Sequence, residues 1–214
     1  MVSYSRFVQR KSGAKIMDTD AITRLNVLWQ PIYPYLAAWL VRWCPEKPRR
    51  ILEVGPFSGG IGESLGAIFK DLEVVCLMHQ KSVARIVGEQ FARNLAMVVG
   101  SLEAMPLRAS FDMIISRGAF FFLTPAIIKE AYRLLKPGAC ALLGGGYGPR
   151  TPEEEIRRIA EESKCLNYEL GKKWISREGL EQMVKDSGME RCSEIVEEGG
   201  LWLLMKKGTD GGRP

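Results

Sequence analysis

Ile51-Leu52-Glu53-Val54-Gly55-Pro56-Phe57-Ser58-Gly59-Gly60 reads as a buried strand that ends on an acid and runs straight into a glycine-rich turn. The apolar run Arg50–Val54, bounded by turn residues, fits a strand covered on both faces. Glycine at 55 and 59 permits positive φ and lets the backbone approach a ligand closely. A helix opening at Gly59 would offer unpaired amide donors at its start. Glu53, just before the turn, is placed to hold an ammonium group directly or through a water. Taken alone, the loop also fits a purely structural strand-to-helix turn. Gly55, Gly59, Gly60 and Gly62 do not have the spacing of a GxGxxG dinucleotide fingerprint.

Outward from this turn, apolar runs alternate with amphipathic segments. Residues 59–70 and 82–94 read as helices, and 72–78, 95–99 and 111–116 as strands. Residues 125–135 form a helix begun by proline, where a missing N–H does no harm. Lys136-Pro137-Gly138 stops it, and 139–143 is a fifth strand. The alternation predicts a mostly parallel sheet with helices on both faces. Farther on, Ser176 reads as the N-cap of a helix reaching residue 187. Residues 191–196 and 201–206, separated by Glu197-Glu198-Gly199-Gly200, read as an antiparallel hairpin. Ahead of the sheet, 19–43 is expected to hold one or two helices bent at Pro31 and Pro34. The chain thus divides into a basic tail over 1–18, a helical cap over 19–48, an α/β domain over 49–207 and a flexible end over 208–214.

The 214 residues suit one such domain. With 46 % hydrophobic and 26 % charged residues the balance is that of a soluble globular protein. Much of the net charge of +5 comes from Arg6, Arg10, Lys11 and Lys15, which have no acidic neighbour. These read as a solvated tail, and no recognition module accompanies them, so nucleic acid is not an expected partner. The five cysteines are scattered without a CxxC pair, and there is one histidine. That excludes a zinc site and a disulfide scaffold; no metal is expected, and a reducing, cytoplasmic location is. The N-terminus lacks the apolar segment of a secretory leader. The apolar stretch 29–44 is broken by Pro31, Pro34 and Arg42, too interrupted to span a membrane.

The loop resembles motif I of the class I S-adenosylmethionine (SAM) dependent methyltransferases, acidic-x-Gly-x-Gly-x-Gly. Glu53, Gly55 and Gly59 match, and Phe57 stands where the middle glycine usually is. Gly100-Ser101-Leu102-Glu103-Ala104-Met105-Pro106-Leu107 is similar to the family's motif after the third strand. Phe111-Asp112-Met113-Ile114-Ile115-Ser116-Arg117-Gly118 resembles motif IV, and Glu130-Ala131-Tyr132-Arg133-Leu134-Leu135-Lys136-Pro137-Gly138 resembles the helix and turn before strand five. Residues 25–41 with Pro31-Ile32-Tyr33-Pro34, together with Gly144-Gly145-Gly146-Tyr147-Gly148 and Gly200-Leu201-Trp202, are similar to a subgroup of microbial small-molecule methyltransferases. The resemblance covers residues 20–207, and the ordered series is stronger than any one motif.

The resemblance implies a Rossmann-like fold with a mostly parallel seven-stranded sheet closed by a C-terminal antiparallel hairpin. It implies SAM as cofactor, held by Glu53, Gly55, Phe57, Ser58 and Gly59 from the loop, Met78 and His79 after strand two, Ser101 and Leu102 after strand three, and Ser116 in motif IV. Glu53 would take the methionine ammonium. Met78 stands where the family carries an acid that grips both ribose hydroxyls, and Ser101 where an aspartate is common. Each lost charge-assisted bond costs about 1.5–3 kcal/mol unless replaced, at least about tenfold in affinity. His79 or Gln80 offers neutral replacements; a structural role for His79 is the competing reading.

Methyl transfer from a sulfonium is an in-line displacement that asks mainly for proximity and orientation. A general base is needed only where the nucleophile must lose a proton. The candidate catalytic residues are Arg117, Tyr33 and Tyr147. Arg117 either pairs with a carboxylate or phosphate of the substrate or holds its loop by a salt bridge. Tyr33, with Trp29 and Tyr35, either covers the site or packs the core. Tyr147 lies in a glycine-rich stretch that reads as a loop able to admit substrate. Phe120, Phe121 and Phe122 wall the pocket or pack a lid. The expected function is methyl transfer to a small molecule. The alternative is a non-catalytic protein of the same fold that binds a ligand or a partner, and a nicotinamide-dependent oxidoreductase is disfavoured by the loop spacing. A homodimer is left open, and fold alone does not name the acceptor.

Overall fold

The structure, a computed structural model, describes residues 17–91 and 95–209. Most of the basic tail, residues 1–16, therefore lies outside it, as do 92–94 and 210–214. The described chain begins with helix α1 (Thr19–Trp29), capped by the Asp18 carboxylate, which accepts from Asp20 N at 2.8 Å. A 3-10 turn at Gln30–Ile32 leads into α2 (Tyr33–Leu40). Pro31 and Pro34 each fall second in these segments, where their missing N–H is tolerated, and the chain there is divided into α1, the 3-10 turn and α2.

The sheet and its helices follow as β1 (Arg50–Val54), α3 (Gly60–Ile68), β2 (Glu73–Met78), α4 (Lys81–Gln90), β3 (Leu95–Val99), β4 (Phe111–Arg117), α5 (Pro125–Leu134), β5 (Leu135–Gly146), α6 (Glu153–Glu169), α7 (Arg177–Ser187), β6 (Ser193–Val196) and β7 (Gly200–Lys206). The seven strands lie in the order β3-β2-β1-β4-β5-β7-β6. All pairs through β5 are parallel, and β7 runs antiparallel between β5 and β6. This is the expected architecture. Strand order reverses between β1 and β4, which places a ligand crevice at the carboxyl ends of these two strands.

Strand alternation sends side chains to two cores. Ile51, Val74, Cys76, Met113 and Leu142 pack one face against α1, α2, α3, α4 and α6. Leu52, Val75, Leu77, Ile114 and Leu143 pack the other against α5 and α7. The cap helices share the first core with the sheet. Trp39, 1 % exposed, sets its ring 4.8 Å from Trp43 and 5.5 Å from Trp202, and its Nε1 donates to Glu198 at 3.1 Å. Trp39→Ala is expected to lower the unfolding free energy by about 3–5 kcal/mol, the usual range for emptying a large buried aromatic site. Urea denaturation checks this; an unchanged midpoint would mean that the cap contributes little to the common core.

Two segments depart from the sequence reading. Strand β5 runs from Leu135 to Gly146 instead of from 139 to 143: Leu135 pairs with Phe111, so the stop expected at Lys136-Pro137-Gly138 falls within the strand, and Gly144, Gly145 and Gly146 pair with Trp202, Leu201 and Gly200. A Cβ at Gly144 would overlap the Leu201 carbonyl, so glycine here serves close strand packing rather than a mobile loop. Helix α6 has no counterpart in the expected elements. It buries only a narrow stripe, Ile159, Ser163 and Leu166, and so shows little apolar periodicity, although Glu153, Glu154 and Glu155 in its first turn suit a helix start. No helix of the described residues is long and apolar enough to cross a membrane.

Candidate active site

The turn after β1 is built around Glu53. Gly55 takes φ 105° and donates its N–H to Leu77 O at 2.8 Å, while Ser58 Oγ donates to Gly55 O at 2.8 Å. The Glu53 carboxylate accepts from Gly59 N at 2.6 Å and from Gly62 N. A negative charge is thereby set at the amino end of α3, where backbone donors and the helix dipole favour it. Burial lifts this carboxyl to about 7, against the pull of the two amides. Glu53 is 3 % exposed, and both its oxygens face the loop backbone. In this structure it fastens the turn.

Aromatic rings cover the turn. A Cβ on Gly55 would overlap the Phe122 ring, so that half-buried ring lies on the glycine floor. Phe57, 2 % exposed, packs 5.0 Å from Trp29 of α1 and 4.9 Å from Phe121. The bulky residue in a glycine's place thus fills the space between loop and cap. Asn26 ties the same elements together, donating to Pro56 O at 3.3 Å and accepting from Tyr33 OH at 3.4 Å.

The remaining expected contacts are distributed along the carboxyl edge. Met78 shares the face of Val74 and Cys76 and is buried in the core, so its side chain is not at the rim. His79, half-buried, follows directly after the strand. Gln80 is tied to the backbone of Met17 by bonds of 3.1 Å in both directions, so it is engaged within the protein. Ser101 is exposed and Leu102 buried in the second core. Ser116 Oγ donates to Val54 O at 2.8 Å, linking the ends of β4 and β1.

The three candidate catalytic residues come together. Arg117 ends β4, 5 % exposed, with its guanidinium 3.4 Å from the Trp29 ring centroid and 6.0 Å from that of Tyr33. Its Nε donates to Gly146 O at 3.2 Å. No ion pair among the described residues involves it, so the expected loop-holding salt bridge is not formed. Burial pushes the guanidinium down to about 10, with Tyr33 and Tyr147 opposing. Burial raises the Tyr33 hydroxyl far above its ordinary value, which suits a neutral hydrogen-bonding group. Tyr147 is half-buried and its carbonyl accepts from Thr151 Oγ. Its amide donates to Gly199 O at 2.9 Å, which fixes the backbone expected to be a mobile loop.

Asn26 and Lys172 escaped the sequence reading. Asn26 carried one signal, a polar residue within the apolar stripe of Ile22, Leu25 and Trp29. Lys172 carried none; it reaches the site because the turn after α6 bonds back through Lys173 N to Phe120 O at 3.2 Å.

Residues 52–143 match the family model described as a methyltransferase domain. Among solved structures, the chain is similar to a protein of Methanococcus maripaludis assigned as a SAM-dependent methyltransferase, with 22 % identity and a TM-score of 0.71 over 97 % of this chain and 98 % of that one. It is also similar to human N-acetylserotonin methyltransferase in complex with SAM, at 12 % identity and a TM-score of 0.62 over 90 % of this chain and 57 % of that one. A third is geranyl diphosphate C-methyltransferase from Streptomyces coelicolor, solved with S-adenosylhomocysteine, at 11 % identity and a TM-score of 0.56 over 82 % and 78 % of the two chains. At these identities the structural likenesses speak for the fold. No curated protein matches the chain significantly.

Proposed function

We propose that the chain is a class I SAM-dependent methyltransferase, a reading supported by the match of residues 52–143 to a methyltransferase domain, and that it transfers the methyl group of SAM to a small-molecule acceptor. The observation that carries the small acceptor is the seal of the cap over the turn. Asn26 bonds Pro56 O, and Trp29 packs on Phe57. A seat enclosed on that side favours a small molecule over a polymer chain.

The residues present fit the cofactor once one side chain turns. Gly55 offers a floor without a Cβ, and the ring lying on it belongs to half-buried Phe122, which can rotate about its own side-chain bonds. In this reading Gly55, Phe57, Ser58 and Gly59 form the floor and its wall, His79 meets the ribose edge, and Ser101 with Leu102 borders the adenine. Glu53 and Ser116 position the turn and the end of β4 from behind. Bound SAM supplies an electrophilic methyl group on a sulfonium. The protein aligns the acceptor with it, and Trp29, Phe57 and Phe121 keep water from the reaction line. The comparisons lend no support to a non-catalytic reading.

Calorimetric titration with SAM, S-adenosylhomocysteine and NAD tests this. The first two are expected to bind and NAD is not. Absence of SAM binding up to millimolar ligand would overturn the proposal.

A further inference from the structure

A buried cation without an anion stands at the carboxyl end of β4. Arg117 Nη1 is buried and has no hydrogen-bond partner. Its Nε bond to Gly146 O and its stack on Trp29 satisfy part of the guanidinium and leave its charge unneutralised. A second cation lies on the turn after α6, which bonds back to Phe120 O through Lys173 N at 3.2 Å. Lys172, half-buried, is electrostatically coupled to Arg117, and its ammonium lies 5.6 Å from the Trp174 ring with no ion pair among the described residues. The nearby carboxylate, Glu53, is already committed to the amides of Gly59 and Gly62. Outside the described residues, Asp210 is the only acidic side chain.

Two coupled, desolvated cations are costly to keep, because a buried charge without a partner loses its hydration and gains nothing in return. Such an arrangement becomes favourable when an anion arrives between them. A guanidinium presents paired donors in a plane, which suits a carboxylate bound side-on. The rings beside it, Trp29 and Tyr33, are aromatic.

We propose that Arg117 and Lys172 form a carboxylate-binding site, and that the carboxylate belongs to the methyl acceptor. This rests on the methyltransferase reading above and adds the chemical class of the acceptor: a small molecule bearing a carboxylate beside an apolar or aromatic body. The second source of a carboxylate is the methionine moiety of the cofactor. The acceptor is favoured because Arg117 leans toward β5, bonding Gly146 O, while the glycine-rich turn lies on the β1 side of β4. Lys172 lies on the turn after α6, where the neighbouring Lys173 N donates to Phe120 O at 3.2 Å.

The test uses the full chain and three probes: S-adenosylhomocysteine, 5′-methylthioadenosine, which lacks the amino-acid carboxylate, and benzoate added at saturating S-adenosylhomocysteine. Benzoate is expected to bind the wild type and to bind Arg117→Met and Lys172→Met at least about tenfold more weakly, while both nucleosides keep their affinities within about twofold. If Arg117→Met instead loses S-adenosylhomocysteine and keeps 5′-methylthioadenosine, the carboxylate is the cofactor's and the acceptor assignment falls. If benzoate does not bind the wild type, or binds both variants equally well, the site itself is overturned. Lys172→Met changes a half-buried side chain and keeps the test valid should Arg117→Met fold poorly. Failure of the wild type to bind S-adenosylhomocysteine would count against the methyltransferase reading and is seen separately, before benzoate is added.

Discussion

Gly55→Val is expected to abolish SAM binding, and Phe122→Ala, on the other side of the same contact, to strengthen it. Gly55 holds φ 105°, a conformation that costs an L-residue about 1–3 kcal/mol. Valine adds two methyl groups beyond a Cβ that would already overlap the Phe122 ring. Both effects act on the floor on which the cofactor is proposed to lie. A loss of more than about 100-fold is expected, near 2.8 kcal/mol at 1.4 kcal/mol per tenfold. Phe122→Ala removes the ring that has to leave the floor before a ligand can settle. The population that can bind then rises, and apparent affinity rises with it, by about tenfold. Calorimetry reads both changes, with circular dichroism melts showing that each variant is folded. Unchanged SAM affinity in Gly55→Val would mean that this turn is not the cofactor seat. Weaker binding in Phe122→Ala would mean that the ring is part of the site and not a cover over it.

The features legible in the sequence were those written by local rules. Arg50–Val54 and Leu95–Val99 form strands at the expected residues because continuous apolar runs between turns have few other solutions. Ser176 caps α7 as expected, its Oγ accepting from Gly179 N at 3.1 Å. Where long-range packing decides, the sequence was silent or misleading. Gly144–Gly146 look like a loop until Trp202 on the neighbouring strand demands the space. Met78 sits at the right place along its strand, yet its side chain belongs to the core. In the site, Arg117, Tyr33 and Tyr147 could be singled out from their positions beside the motifs. The placing of Tyr33 and Tyr147 around Arg117, and the arrival of Lys172 after α6, depend on contacts between residues far apart in the chain.

The second large effect is expected on stability, through Glu53. In the folded chain its carboxyl is lifted from the ordinary 4.5 to about 7, chiefly by burial. Between these values the folded protein holds a proton that the unfolded chain has released. Stability contributed by this group is therefore fully present below pH 4.5 and is lost as pH rises through 7. The total is about 3 kcal/mol at 1.36 kcal/mol per pH unit. Glu53→Gln removes the titration. It also turns an NH2 toward one of the two loop amides, a donor facing a donor, at a constant cost of about 1–3 kcal/mol. Urea unfolding is thus expected to show the wild type clearly more stable than the variant at pH 5, with the gap shrinking or reversing by pH 8. Tyr33 and Cys76, the titratable neighbours coupled to Glu53, have raised values and stay neutral across this window. Parallel pH profiles for the two proteins would show that Glu53 does not change protonation between pH 5 and 8. The same carboxylate fastens Gly59 and Gly62, so an approach to neutrality weakens the bonds that shape the turn even as it relieves the buried charge. That opposition is the physical reason an acid at this position can be retained although its burial is unfavourable: it gives up stability above pH 7 and in return holds the glycine-rich backbone in a single form.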